Sequence, residues 1–185
     1  SILHPTELTG LILSGTSYEP PFLTSIGGGI ASLACRLFDA SSPASVIHYL
    51  TFLGYNSEFT PAKTGYEWLC SDPQVVNAYI KDPLCGAPCS RQFFSVLFSG
   101  LKRLFSKETL SQFSEALPLL ILTGDKDPLA GKNITKVRQL ISLLETRIKT
   151  PITHRIYPEG RHECLNEAFK TSVFEDIYEW IQGIS

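Results

Sequence analysis

The chain has 185 residues, enough for one domain with a real core, because single domains of about 100 to 200 residues bury roughly two thirds of their unfolded surface. With 43% hydrophobic residues, 18% charged residues and a formal net charge of −2, it carries no basic field that would recruit nucleic acid. No apolar run approaches the roughly 20 residues that span a bilayer, which leaves peripheral contact as the one mode of membrane association open to these residues.

In chain order, residues 1–8 read as the end of a helix, and Leu11-Ile12-Leu13-Ser14-Gly15 as a buried strand. About one hundred residues pass before the next strand, far more than a crossover needs, so residues 20–112 are expected to form an insertion. Its apolar and aromatic residues (Leu33, Phe52, Trp68 and Phe94 among them), broken by Pro61, Pro73, Pro83 and Pro88, predict several short helices and loops. Gly27-Gly28-Gly29 lacks the pattern of a phosphate-binding loop and reads as a hinge. Residues 117–123 form an uninterrupted apolar run ending at Gly124, the pattern of a parallel strand covered on both faces.

After an acidic turn, Asn133 is the expected N-cap of a helix whose stripe runs Ile134, Val137, Leu140, Ile141, Leu144 and Ile148. Thr150-Pro151 ends it, and residues 152–157 predict a third strand. A polar turn at 158–162 leads to a last helix, from about Leu165 or Asn166, with Phe169, Val173, Phe174, Ile177, Trp180 and Ile181 facing inward. The alternation predicts an α/β fold with a parallel sheet, divided into a core strand with its flanks (1–19), the insertion (20–112) and a C-terminal core (113–185).

Five scattered cysteines, Cys35, Cys70, Cys85, Cys89 and Cys164, fit reduced, buried thiols in a cytoplasmic protein rather than a disulfide framework. Cys85 and Cys89 have no second ligand pair, so no metal or other cofactor is implied.

Catalytic groups of open parallel sheets gather at the carboxyl ends of the strands. Two turns there carry chemistry: Asp125 and Asp127 after one strand, and His162 after the next. A carboxylate on one imidazole nitrogen fixes the tautomer and leaves the other nitrogen to act as general base. Of the other histidines, His4 lies near the terminus, His48 in the insertion and His154 inside a strand. The residues by themselves leave the choice between Asp125 and Asp127 open, and they equally fit a solvated loop histidine.

The segments GLILSGT (10–16), YNSEFTPAKTGYEWLCSDPQVVNAYIKDPLCG (55–86), LPLLILTGDKDPLAG (117–131) and YPEGRHECLNE (157–167) together resemble the bacterial lysophospholipase and monoacylglycerol-lipase-like branch of the α/β-hydrolases, within the serine-aminopeptidase-like superfamily. That resemblance implies the C-terminal part of an α/β-hydrolase parallel sheet, with residues 20–112 as a largely helical cap. It assigns the triad acid to Asp127 through the G-x-x-D turn and the base to His162, and leaves Asp125 to bond local backbone donors. It also implies a small acyl ester or lysolipid as substrate.

No G-x-S-x-G elbow accompanies them: Gly15-Thr16-Ser17 continues with Tyr18-Glu19, and Gly183-Ile184-Ser185 ends the sequence. The histidine-glycine turn that supplies oxyanion donors in the family is missing too. The sequence opens with SILHPTELTGLILSGT, which resembles the end of a nucleophile-bearing helix, and has no methionine. The expectation is a C-terminal portion of a longer hydrolase, with the N-terminal half of the same fold as partner and a bare sheet edge at Leu11 to Ser14 without it. Two alternatives stand beside it. One is a catalytically inert hydrolase-like binding protein; the other is a magnesium phosphatase, since Asp125-x-Asp127 is similar to the D-x-D of haloacid-dehalogenase-like phosphatases.

Overall fold

The computed structural model describes residues 7–184. His4 and most of the expected N-terminal helix end lie outside them. Three strands, β1 (Leu11–Ser14), β2 (Leu119–Gly124) and β3 (Ile152–Tyr157), form a parallel sheet in the order β1-β2-β3. Leu11 stands opposite Leu119, and Leu119 opposite Ile152. β1 and β3 fall where the sequence predicts them. β2 begins two residues late because Pro118 has no N–H for the ladder, although its carbonyl still accepts from Leu11 N at 3.0 Å.

All six residues of β2 are buried, which explains its unbroken apolar run. Ile12, Leu120 and Leu122 face α7 (Lys170–Ile184) through Val173, Ile177 and Trp180. Leu11, Leu13, Leu119 and Ile121 face α6 (Thr135–Glu145) and the linker carrying Phe105, Leu110 and Phe113. The sheet therefore has helices on both faces, with the strand ends clear for a site.

Two expectations about these helices need correction. Asn133 is not an N-cap: it lies at φ 54° inside a short 3₁₀ turn, Lys132–Ile134, and α6 starts at Thr135. Ile134 itself has φ 56°, a conformation β-branched residues rarely adopt, and its burial in the core offsets that cost. In α7, Phe174 and Ile181 are 51% and 41% exposed. The buried stripe runs Val173, Ile177, Trp180, and each of the two exposed residues follows a stripe position by one, about 100° round the helix.

The insertion holds α1 (Pro21–Leu37), α2 (Ser45–Phe52), α3 (Pro73–Lys81), α4 (Arg91–Leu104) and α5 (Lys107–Leu110). Caps start several of them: Asp72 accepts from Gln74 N ahead of Pro73, and Ser90 accepts from Phe93 N. The glycine triplet is no hinge. It lies inside α1, where a Cβ on Gly27 would stand 3.2 Å from the Phe98 ring, so the missing side chain lets α1 and α4 approach. A Ser32–Ser95 hydroxyl pair at 3.0 Å joins the two helices beside buried Ala31 and Phe94. Among the described residues no helix is long and apolar enough to cross a membrane.

Candidate active site

The acidic turn is built against the histidine turn. A Cβ on Gly124, the last residue of β2, would meet the Gly160 carbonyl oxygen at 2.2 Å, so only glycine lets the two backbones touch. Lys126 N donates to Gly160 O at 2.9 Å and Asp125 N to Tyr157 O at 3.1 Å. Asp125 reaches further than expected. Its carboxylate accepts from Glu159 N at 2.8 Å, on the opposite turn rather than its own, where Glu159 has φ 58°.

Asp127 precedes Pro128 and accordingly has an extended backbone, φ −69° and ψ 116°. Its side chain is 0% exposed. Oδ1 accepts from Leu129 N at 2.9 Å, which leaves Oδ2 directed at His162 Nδ1, 3.1 Å away. With Nδ1–H donating to that carboxylate, Nε2 keeps its lone pair. The structure thus brings two sequence-selected residues together and sends the third, Asp125, to a backbone partner.

Three more contacts hold the imidazole, none of them visible as a motif. His162 N donates to Trp68 O at 3.2 Å, and the Trp68 ring stands 5.3 Å from the imidazole centroid. Gly15, at φ 60°, presses its backbone on the ring: a Cβ there would lie 2.9 Å from Cε1. Ser17 Oγ, two residues on, donates to Leu129 O at 2.6 Å and ties the end of β1 to the acid turn. His154 donates to or accepts from Thr123 Oγ1 at 3.1 Å, and burial lowers its pKa. His48 lies in α2 with a buried Nδ1 that has no hydrogen-bond partner among the described residues.

Next to this pair lies a cavity of about 880 Å³. Gly15 and Leu129 line it, and Leu13, Ile30, Leu50, Phe98, Leu101 and Leu119 give it apolar walls from both sheet and insertion. An ion pair between Lys136 and Glu19 sits in the lining. Tyr55 also lines it; burial, then the charges of Glu19 and Asp127, push its phenol up to about 12. Cys70 and Cys164 are buried, while Cys35, Cys85 and Cys89 are only partly so. Burial lifts the Cys70 and Cys164 thiols to about 11 and about 12, which disfavours their thiolate forms.

Comparison with known proteins gives this geometry a context. The family described as serine aminopeptidase, S33, matches residues 2–168. A monoacylglycerol lipase of Mycolicibacterium smegmatis is 32% identical over 118 residues, covering 60% of this chain and 36% of the relative. A thermostable carboxyl esterase from Bacillus coagulans superposes with a TM-score of 0.85 at 23% identity, over 99% of this chain and 59% of that one. A lipase in its open form does so with 0.80 at 22%, over 97% and 58%. The chain therefore spans just over a third of that curated relative and under three fifths of these structures.

Proposed function

From the premise that the chain belongs to the serine aminopeptidase S33 family of α/β-hydrolases, we propose that it supplies the acid and base of a carboxylic-ester hydrolase whose serine comes from outside residues 1–185. The observation that carries this reading is the 3.1 Å approach of His162 Nδ1 to a fully buried Asp127. Asp127, fixed by Leu129 N, holds one tautomer of the imidazole and stabilises its protonated form. Nε2 then takes the proton of a serine hydroxyl as that oxygen attacks the acyl carbonyl, and returns it to the leaving alcohol. Water repeats the cycle on the acyl-enzyme.

Two features support the outside origin of the serine. No elbow motif occurs in the sequence, and β1 pairs with β2 on one side while its Leu11, Ile12 and Leu13 are only half-buried. A further strand beside β1 would cover that edge and deliver a serine at the same end of the sheet as Gly15.

The apolar cavity suits an acyl chain, with residues 20–112 as its cap, and the substrate class is a monoacylglycerol or lysolipid. Water-bearing polar esters would be poorly matched by walls of leucine and phenylalanine. Peripheral contact with a lipid surface belongs to the same reading.

The test joins the chain to the segment encoded upstream of Ser1. An in-frame elbow serine there, with monoacylglycerol hydrolysis that His162→Ala abolishes, is the expected result. A fluorophosphonate probe should label nothing in residues 1–185; a labelled serine within them would overturn the proposal, and an upstream stop codon would favour a binding protein.

A further inference from the structure

Glu167 is 0% exposed, yet its side chain faces no apolar gap: it sits at the seam between the histidine turn and residues 67–71 of the insertion. Oε1 accepts from Ser71 N at 3.0 Å and from Arg161 N at 3.0 Å, and Oε2 accepts from the Ser71 hydroxyl. A carboxyl group in the interior is costly unless its lone pairs are met, and here backbone N–H groups from two distant segments meet them.

The same seam carries further bonds. His162 N donates to Trp68 O at 3.2 Å and Glu163 N to Leu69 O at 2.9 Å. The Arg161 guanidinium donates to the carbonyls of Glu67 and Cys70 and lies 4.3 Å above the Phe59 ring. Cys70 Sγ donates to Asn166 O at 3.4 Å. The Glu167 carboxylate grips both segments by their backbone N–H groups, at Arg161, one residue before His162, and at Ser71, three after Trp68.

We propose that Glu167 is a positioning residue, clamping residues 67–71 of the insertion to the histidine turn so that His162 stays opposite Asp127 with Trp68 at its flank. This rests on the reading of His162 as general base. It also divides the insertion: residues 67–71 form a fixed wall of the site, and any opening toward substrate falls to α1, α2 and α4.

Glu167→Gln turns one acceptor into a donor that faces donors, and Ser71→Ala removes a single hydroxyl as a milder counterpart. Val137→Ala, on the opposite face of the sheet, serves as a control matched by melting temperature. Hydrogen exchange of dilute protein is expected to show the amides of residues 161–163 and 69–71 opening on the order of tenfold more often in Glu167→Gln, less in Ser71→Ala, and unchanged in the control. In the active hydrolase kcat should fall with KM nearly constant. Exchange that rises equally in the control, or an unchanged kcat with intact exchange, overturns the role of Glu167. A wild-type hydrolase without turnover sinks the base assignment instead, and the exchange result then decides the clamp by itself.

Discussion

At the scale of single residues, the division of labour between Asp125 and Asp127 follows from where each carboxylate finds donors. Asp127→Asn keeps the shape but presents an amide to His162 Nδ1 and favours the wrong tautomer, so turnover of the active hydrolase should drop by about four decades. Asp125→Asn should instead loosen the Glu159 turn, with a stability loss of about 1 kcal/mol in a denaturant melt and a much smaller effect on rate. An equal collapse in rate at both positions would contradict this assignment. Gly15→Ala combines a positive φ with a Cβ 2.9 Å from the imidazole; the expected outcome is at least about 1 kcal/mol of destabilisation and a disproportionate loss of kcat. Asp127 and His162 were legible as turn residues after strands, and the resemblance chose Asp127. Trp68, Gly15 and Glu167 were not, since each acts through a contact made only when distant segments meet.

At the scale of elements, the loop between α2 and α3 is organised by one carboxylate. Burial would by itself raise the pKa of Glu67, but hydrogen bonds from Asn56 and from the backbone at Thr64, Glu67 and Lys63 outweigh it and hold it at about 2. Asn56 Nδ2 donates at 2.6 Å and Lys63 N at 2.8 Å. A depressed carboxyl pKa stabilises the folded loop fully above the ordinary value of 4.5 and ceases to as the pH falls through about 2. Opening of residues 56–68, read as hydrogen exchange relative to the intrinsic rate at each pH, should therefore rise as the pH falls between these limits, and Glu67→Gln should show the raised level already at neutral pH. In α4, Phe94 is 1% exposed at the centre of the small α1–α4 cluster, and Phe94→Ala should cost about 3 to 5 kcal/mol, read as lost hydrogen-exchange protection in α1 and α4. The bounds of β1 and β3 could be read from the sequence because their apolar runs end at turn residues, whereas the α7 stripe was legible only at Val173, Ile177 and Trp180, with Phe174 and Ile181 left exposed. Gly27 could not: helix packing against Phe98 overrode a propensity that disfavours glycine in helices.

At the scale of the whole molecule, the apolar surface is large. Phe22 is 71% exposed and Leu37 65%, both on α1, and β1 keeps an edge without a partner among the described residues. Such surface drives association, so residues 1–185 alone should sediment as concentration-dependent oligomers and melt with low cooperativity. A monodisperse, cooperatively melting monomer would count against a further strand beside β1. By itself the sequence determined the parallel α/β sheet and the two chemical turns, because strand and turn signals are local and a buried central strand leaves an uninterrupted apolar run. Only the tertiary structure decided the partners of Asp125, the fit of Gly15 on the imidazole and the burial of Glu167: these depend on which backbones come within about 3 Å of each other, and hydrogen bonds that short are fixed by packing across the whole fold rather than by neighbours along the chain.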